Sequence, residues 1–358
     1  MKKKNLLSLA SLLAAAALAS CGGSTPVQSS SSPEPEPEPE PEVSVFLLAG
    51  QSNMEGNSYY GKQEDGWLHK AFVDLEIEDG DVCFEGIEAV KTSYYGNGYG
   101  ELPTQQHASN KENPIAGKFL DTKVGMGHTD DMFGPELGAA YAIMKSEKAD
   151  AENPVYFIKC ASGGSGFAQS GTSLNWNVTP EGIESGNDKL YTDHFYKYVN
   201  NNLALIEEET GIKPTIKGFM WHQGCSDTAT EKVAAYHDRM NALIDRIKDD
   251  FEDYAPEGDK DNIAFIDAYI YDGPNIPSNL GSEQNVNDLN AVKEAISEEA
   301  ENHYIVNSSW KRDGGLELNI ATSGWGDVEG ANGVLHYKAK DMFRLGMAYG
   351  EIIAENIL

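Results

Sequence analysis

Apolar segments alternate with amphipathic ones along the chain from Val43 to Leu358. Short runs rich in β-branched and aromatic residues predict five strands, at 45–49, 155–159, 216–221, 263–267 and 304–306. Longer stretches, in which apolar residues recur every three or four positions, predict helices at 135–147, 192–208, 231–251, 285–301 and 338–356. Such alternation is typical of a parallel sheet with helices on both faces. We therefore predict an α/β fold, a three-layer doubly wound sheet of about five parallel strands.

The segment 57–132 does not follow this alternation. It is rich in Gly, Tyr and Asp, and we interpret it as largely an insertion after the first strand. We find no repeat and no second low-complexity break further along the chain. Residues 43–358 are therefore expected to form one domain.

The beginning of the chain has the pattern of an export signal. Three lysines precede an apolar run at 6–18, which is too short for a permanent membrane-spanning helix. The sequence Leu-Ala-Ser-Cys ending at Cys21 resembles a bacterial lipobox, so 1–20 is interpreted as a lipoprotein signal peptide and Cys21 as the lipidated residue. The alternative is an ordinary cleaved signal peptide. In both cases the chain leaves the cytoplasm.

A Ser-rich and Pro-Glu-rich segment, 21–42, follows the signal. Gly/Ser-rich chain is flexible and alternating Pro-Glu favours extended polyproline II, so this segment is expected to be a linker without a fold of its own. We predict an exported bacterial lipoprotein of the cell envelope, whose contact with the membrane is only its N-terminal lipid anchor.

The net charge of the chain limits the kinds of molecule that it can bind. The chain has 27 Lys and Arg against 57 Asp and Glu, a formal net charge of −30. Such an acidic protein repels nucleic acid and anionic membrane surfaces. The same argument favours a neutral partner over a polyanionic one.

Four short polar segments follow or lie near the predicted strand ends. They are GQSNM (50–54), CASGGSG (160–166), WHQGCSD (221–227) and GVLHY (333–337). The carboxyl ends of parallel strands lie side by side, so these segments are expected to converge. A serine, a histidine, a pair of glycines and an amide side chain are what acyl transfer needs: a nucleophile, a general base and donors for an oxyanion.

With these motifs in this order, the chain resembles the SGNH-hydrolase superfamily, in particular the carbohydrate esterases that include sialate O-acetylesterases and acetylxylan esterases. The resemblance implies a flavodoxin-like fold and a substrate that is an acetylated polysaccharide or oligosaccharide, either xylan-like or sialic-acid-like. From the charge, we expect the neutral xylan-like substrate to be preferred. The family needs no metal or other cofactor.

Carried over position by position, the resemblance implies roles for individual residues. Ser52 would be the nucleophile and His336 the general base. The oxyanion would be bound by the Ser52 N–H, by the N–H of Gly164 in preference to Gly163, and by the side-chain amide of Gln223. Gln51 and Asn53, which flank the serine, complete the implied oxyanion and substrate-binding set. Trp176 and Trp325 are candidates for stacking on sugar rings.

The chain departs from the family pattern at two positions. Cys225 stands where the family usually has glutamate, and Gly333 stands where it usually has the aspartate that orients the histidine. That orienting group could be Asp327, Glu329, Asn332 or a backbone carbonyl, and we take Asp327 as the third catalytic residue.

The departures also suggest a disulfide and a second function. Cys160 and Cys225 both follow strands that we expect to be neighbours, and an exported protein meets an oxidising compartment. We predict a Cys160–Cys225 disulfide, with Cys83 left as a free thiol.

The missing acid motivates the alternative to an active O-acetylesterase, a catalytically silent member of the same fold that binds polysaccharide at the cell surface.

Overall fold

The structure is a computed structural model that describes residues 41–61, 66–96, 105–107, 117–168, 174–324 and 326–358. The predicted signal peptide (1–20), Cys21, which is predicted to be lipidated, and nearly all of the predicted linker (21–42) lie outside the described residues, as does Trp325. Within the described ranges, no helix has both the length and the apolar character needed to cross a membrane.

The strands of the described residues form two sheets, one large and one small. In chain order the strands are β1 (Ser44–Gly50), β2 (Ser58–Tyr59), β3 (Ile87–Gly96), β4 (Gln105–His107), β5 (Leu120–Thr122), β6 (Met132–Phe133), β7 (Val155–Ala161), β8 (Thr215–His222), β9 (Ala264–Ala268), β10 (His303–Val306), β11 (Asp327–Val328) and β12 (Ala331–Asn332).

The helices connect these strands. They are α1 (Ser52–Glu55), α2 (Trp67–Asp74), α3 (Val82–Glu85), α4 (Pro135–Lys145), α5 (Pro180–Ser185), α6 (Tyr196–Thr210), α7 (Thr230–Val233), α8 (Tyr236–Asp250), α9 (Glu283–Ser297) and α10 (Ala339–Asn356), with a π-helical segment Leu190–Phe195 before α6 and short 3₁₀ turns at Glu252–Tyr254, Pro256–Gly258, Lys260–Asn262 and Ser278–Leu280.

The large sheet has the order β10-β9-β8-β1-β7-β3-β4, with β5 added to β3. Its strands run parallel except for the antiparallel pair β3–β5. The five strands predicted from the sequence are confirmed, and so is the α/β class. The strand β1 lies near the centre, hydrogen-bonded to β7 on one side and β8 on the other.

The sheet is larger than the predicted five strands because the segment 57–132 contributes to it. The strands β3, β4 and β5 come from the segment that we had interpreted as largely an insertion. Buried polar residues made β3 hard to recognise as a strand in the sequence. Thr92 shares a 2.7 Å hydrogen bond with Thr122 Oγ1, and Ser93 shares a 2.5 Å hydrogen bond with Tyr198 Oη. A buried polar group that has a partner is tolerated in a core, so the strand lacks a clear apolar pattern.

Helices cover both faces of this sheet. Successive residues of a strand point to opposite faces. On β3, the ring of Tyr94 lies 4.3 Å from Lys159 Nζ, which is paired with Glu136 of α4, whereas Tyr95 accepts or donates a 2.6 Å hydrogen bond with His194 just before α6. The two helices therefore lie on opposite sides, which gives the predicted three layers.

A small antiparallel sheet, β11-β12-β2-β6, connects two distant parts of the chain. In it, Ala331 of β12 pairs with Ser58 of β2, a few residues after the end of α1. This pairing brings the last polar segment of the chain against the first one.

The strand order contradicts the predicted disulfide. The strand β1 separates β7, which contains Cys160, from β8, which precedes Cys225. Two strand spacings amount to about 9–10 Å, whereas a disulfide needs Cα atoms within about 7 Å. Accordingly Cys160 and Cys225 are free thiols, as Cys83 is.

A buried ion pair supports the centre of the sheet. Lys159 of β7 and Glu136 of α4 are fully buried, with 2.7 Å between Nζ and Oε2. Lys159 also donates hydrogen bonds to the carbonyl oxygens of Glu55, at 3.1 Å, and Met126, at 2.7 Å. Burial lowers the pKa of Lys159, and the neighbouring Glu136 carboxylate opposes that shift. One ammonium group thus connects the sheet to α4, to the end of α1 and to the segment before β6.

Replacing Lys159 with methionine should destabilise the protein by roughly 3–5 kcal/mol, because Glu136 would remain buried without its partner. The matched control is Lys145→Met, which removes an exposed 2.9 Å pair with Asp79 and should cost less than about 1 kcal/mol. Denaturant unfolding of both variants measures the difference. Equal losses in the two variants would contradict the structural role given to the buried pair.

Candidate active site

A cavity of about 690 Å³ opens at the carboxyl ends of β1, β7 and β8. It brings together residues from all four polar segments recognised in the sequence. Those among its lining residues that were predicted to form the site are Gln51, Ser52, Gly164 and His336. Gly163, Cys225 and Leu335 also contribute to its wall.

Ser52 reaches this cavity because the chain turns sharply at the end of β1. A side chain at Gly50 would place its Cβ 2.3 Å from the carbonyl oxygen of His222, so only glycine fits there. The next amide, that of Gln51, donates a 3.1 Å hydrogen bond to the same carbonyl oxygen. Ser52 then begins the single-turn helix α1 and remains partly exposed.

The side chain of Asn53 attaches the histidine segment to this turn. Its Nδ2 donates to Leu335 O at 3.1 Å, and its Oδ1 accepts from Tyr337 N at 3.2 Å. These are the residues on either side of His336. Asn53 is buried and is not among the residues that line the cavity, so its predicted part in oxyanion or substrate binding stays a prediction. Its function in the structure is to position the histidine segment.

His336 is oriented by a backbone carbonyl. Its Nδ1 lies 2.6 Å from Asn332 O, and since a carbonyl oxygen can only accept, Nδ1 carries the hydrogen. The other ring nitrogen, Nε2, is then the basic one. Burial lowers the pKa of His336, while the Asn332 carbonyl and the Glu55 carboxylate oppose that shift.

Asp327 is not the orienting acid, which corrects our expectation from the sequence. Its carboxylate is exposed and accepts hydrogen bonds from Trp67 Nε1, at 2.7 Å, and Gly330 N, at 2.8 Å. Glu329 pairs with Lys338 instead. Among the alternatives that the sequence left open, the backbone carbonyl takes the position.

Gln223 is also placed differently from the prediction. Its Nε2 donates to Asp227 Oδ2 at 2.7 Å and to Ser165 O at 3.4 Å, so both of its hydrogens are engaged. It is fully buried and absent from the cavity wall. Buried Asp227 also accepts from Phe167 N at 3.0 Å, and this second bond fixes the glycine segment. Gln223 therefore supports that segment, with both of its amide hydrogens engaged within the protein.

Gln51 keeps a place in the cavity wall, but its oxygen has a structural partner. Its Oε1 accepts a 3.0 Å hydrogen bond from Gly224 N, which connects the turn after β1 with the turn after β8. Cys225 follows in the same wall, and burial raises the pKa of its thiol to about 12. The thiol therefore stays protonated and is a poor nucleophile beside Ser52.

Two polar residues of the site were missed in the sequence, although both stand within five positions of Ser52. Asn57 lines the cavity and donates from Nδ2 to Ser52 O at 2.8 Å, while its Oδ1 accepts from Asn332 Nδ2 at 3.0 Å. Glu55 is buried in the floor of the cavity, where its Oε1 lies 3.2 Å from His128 Nδ1. The signal for both was their closeness to Ser52 in the mostly polar segment 51–58, which Met54 interrupts.

His128 and Lys232 also line the cavity, and neither was predicted to belong to the active site. The hydrogen bond with Glu55 is the main cause that raises the pKa of His128. Trp176, a candidate for sugar stacking, is fully buried against Trp221 and is unavailable to a ligand. In the described part of the chain, no group of three or more His, Cys, Asp or Glu residues is placed to hold a metal ion.

The arrangement unites a hydroxyl and a neutral imidazole at one cavity. Ser52 Oγ and His336 Nε2 both belong to residues of the cavity wall, but they do not form a hydrogen bond with each other. Such contacts are often long in ligand-free sites and tighten when substrate binds. The described groups suit proton transfer from a serine and stabilisation of a developing negative charge.

Comparison with known proteins identifies related families and folds. Residues 42–354 match the family model described as carbohydrate esterase, sialic acid-specific acetylesterase. Among solved structures, a protein from Arabidopsis thaliana is 15% identical with a TM-score of 0.52, and the alignment covers 89% of this chain and 100% of that one. The structure of NanS is 14% identical with a TM-score of 0.53, covering 88% and 97%. No curated protein sequence matches the chain. At these identities the two structures show a shared fold.

The histidine geometry predicts the titration of His336. Its imidazole should titrate below the usual value of about 6.5, because burial disfavours the charged ring and no carboxylate contacts Nδ1. The internal control is His237, whose pKa is raised by its hydrogen bond with Glu299. NMR of the imidazole signals against pH measures both, with His336→Gln to assign the resonance. A His336 resonance that titrates above His237 would show that an acid faces the ring.

Proposed function

The chain belongs to the sialic acid-specific acetylesterase family of carbohydrate esterases, and on that premise we propose that it hydrolyses acetyl esters on glycans with Ser52 as nucleophile and His336 as base. The observation that carries the proposal is the pair of hydrogen bonds that Asn53 forms with the residues flanking His336, donating to Leu335 O and accepting from Tyr337 N. They fix the imidazole segment to the turn that presents Ser52.

The reaction proceeds through an acetyl-enzyme. His336 Nε2 takes the proton of Ser52 Oγ as that oxygen attacks the acetyl carbonyl and forms a tetrahedral oxyanion. Collapse of this intermediate breaks the bond to the sugar oxygen, which receives the proton from His336. Water, activated by the same imidazole, then attacks the acetyl-serine, and acetate leaves with Ser52 restored.

Three donors are proposed for the oxyanion. Ser52 and Gly164 both line the cavity, and we propose that their backbone N–H groups donate to the oxyanion. Asn57 replaces Gln223 as the amide side chain, since its Nδ2 gives one hydrogen to Ser52 O and has a second one for the substrate. Donors fixed in this way stabilise the negative charge without rearranging.

The missing aspartate does not leave the histidine unsupported. The Asn332 carbonyl fixes the tautomer, and the nearby Glu55 carboxylate favours the protonated ring that forms during the reaction. Both groups compensate for glycine at position 333. These contacts support the active esterase over the catalytically silent polysaccharide-binding alternative.

The proposed substrate is an acetylated polysaccharide or oligosaccharide, met outside the cytoplasm by a protein tethered through a lipidated Cys21. The net charge of −30 favours a neutral, xylan-like glycan at long range. Locally, Lys232 and His128 bring positive charge to the cavity wall beside Glu55, so an acidic sugar such as sialic acid is not repelled there. Acetate release from acetylated xylan and from acetylated sialic acid distinguishes the two.

Ser52→Ala and His336→Ala should each lower kcat for 4-nitrophenyl acetate and for the best acetylated glycan by roughly a thousandfold or more. The reason is that each variant lacks one of the two groups that exchange the proton. Acetate release and 4-nitrophenol absorbance measure the rates, and circular dichroism confirms that the variants are folded.

The matched control is Asp327→Asn. Asp327 was predicted from the sequence to be the catalytic acid, and asparagine keeps the shape of its side chain. Because Asp327 contacts Trp67 and not His336, this variant should keep wild-type kcat within about threefold, whereas loss of a true triad aspartate costs about 10⁴-fold. Wild-type rates in Ser52→Ala would refute the proposed nucleophile. A loss in Asp327→Asn as large as in His336→Ala would refute the carbonyl-oriented histidine.

A further inference from the structure

A second cavity, of about 590 Å³, adjoins the active-site cavity. Gly281 lines both of them, and the loop between β9 and α9 borders both. On the active-site side this loop contributes Ser278 and Asn279, and on the other side Asn275 and Ile276. The two cavities are therefore neighbours, with Gly281 and its loop between them.

The indole of Trp310 forms part of the wall of the second cavity. Its Nε1 donates to Leu318 O at 2.7 Å, so the only polar atom of the ring is already bonded. Its backbone N donates to Asp272 Oδ1 at 2.8 Å, and Ser309 Oγ donates to Asp272 Oδ2 at 2.5 Å. Trp310 is a partly exposed aromatic residue of the cavity wall, and bonds at its backbone nitrogen and at its ring nitrogen fix its position.

The charged groups of this cavity are paired. Lys311 Nζ lies 2.7 Å from Glu283 Oε1 and also donates to Asn287 Oδ1 at 2.9 Å. The buried Asp272 carboxylate accepts the bonds from Ser309 and Trp310 and lies 3.7 Å from Arg312. The wall therefore presents hydrogen-bonding groups and an aromatic ring without an uncompensated charge.

This chemistry suits a neutral sugar ring, which has apolar C–H faces and a rim of hydroxyl groups. We propose that the second cavity is a subsite for the sugar unit next to the acetylated one, so that the substrate is a glycan of two or more units. The proposal rests on the proposed esterase function, since Ser52 must act on the neighbouring unit. The aromatic surface of Trp310 and the polar Lys311–Glu283 pair are its recognition elements.

Trp310→Ala tests the subsite through the dependence of the rate on chain length. The probes are 4-nitrophenyl acetate, an acetylated xylose monosaccharide and acetylated xylotetraose. Wild type should have at least a tenfold higher kcat/KM for the tetraose than for the monosaccharide. Trp310→Ala should lose most of this advantage through KM, with 4-nitrophenyl acetate turnover within twofold of wild type.

A second variant covers the case in which Trp310→Ala does not fold. Glu283 is exposed in the first turn of α9, and Glu283→Tyr should fill the cavity and lower kcat/KM for the tetraose in the same way. The matched control is Gln284→Tyr, the same new side chain at the adjacent exposed position, which does not line the cavity and should behave as wild type.

The outcomes separate the subsite from the function on which it rests. Wild-type protein that turns over none of the three probes refutes the esterase function and the subsite with it. Wild-type protein that hydrolyses 4-nitrophenyl acetate but shows no advantage for the tetraose refutes the subsite alone. Unchanged tetraose kinetics in folded Trp310→Ala or in Glu283→Tyr refute it as well.

Discussion

The side-chain amide of Asn53 holds the two halves of the active site together. Ser52 is fixed at the end of a central strand, whereas His336 lies 284 positions later in a segment without regular secondary structure. The amide bonds the residues on both sides of His336, Leu335 and Tyr337. Because an unpaired buried amide is costly, the folded chain has a strong reason to keep this arrangement. Leu335, whose carbonyl oxygen accepts one of these bonds, has a positive φ of 76°, a strained conformation directly before His336.

The rest of the site depends on buried polar groups that are paired in the same manner. Asp227 and Gln223 hold the glycine segment, Lys159 and Glu136 hold the end of α1, and the Asn332 carbonyl holds the imidazole. Paired buried groups fix geometry, and a fixed geometry allows donors to stabilise charge at no cost in rearrangement. In the proposed mechanism, the Asn332 carbonyl takes the place of the aspartate at position 333, where this chain has glycine.

The sequence predicted the parts of the structure that follow from local pattern. Apolar runs located the five central strands and the motifs located Ser52, Gly164 and His336 at one cavity. The sequence did not predict the features that depend on pairing between residues far apart in the chain. The polar residues Thr92 and Ser93 of β3 are buried with Thr122 and Tyr198 as their hydrogen-bond partners. Strand order, which sequence does not encode locally, separates Cys160 from Cys225. Asp327 and Gln223 were assigned by chemical type, and their actual partners come from distant segments.

The labelling of Ser52 by a fluorophosphonate, followed by mass spectrometry in wild type and in Asn53→Ala, tests the central claim most directly. Such reagents modify a serine that a neighbouring imidazole activates. We predict rapid modification of wild type at Ser52, and modification slowed by roughly a hundredfold or more in folded Asn53→Ala, because the histidine segment is no longer attached to the serine turn. Labelling at another residue, or equal rates in the two proteins, would contradict the account.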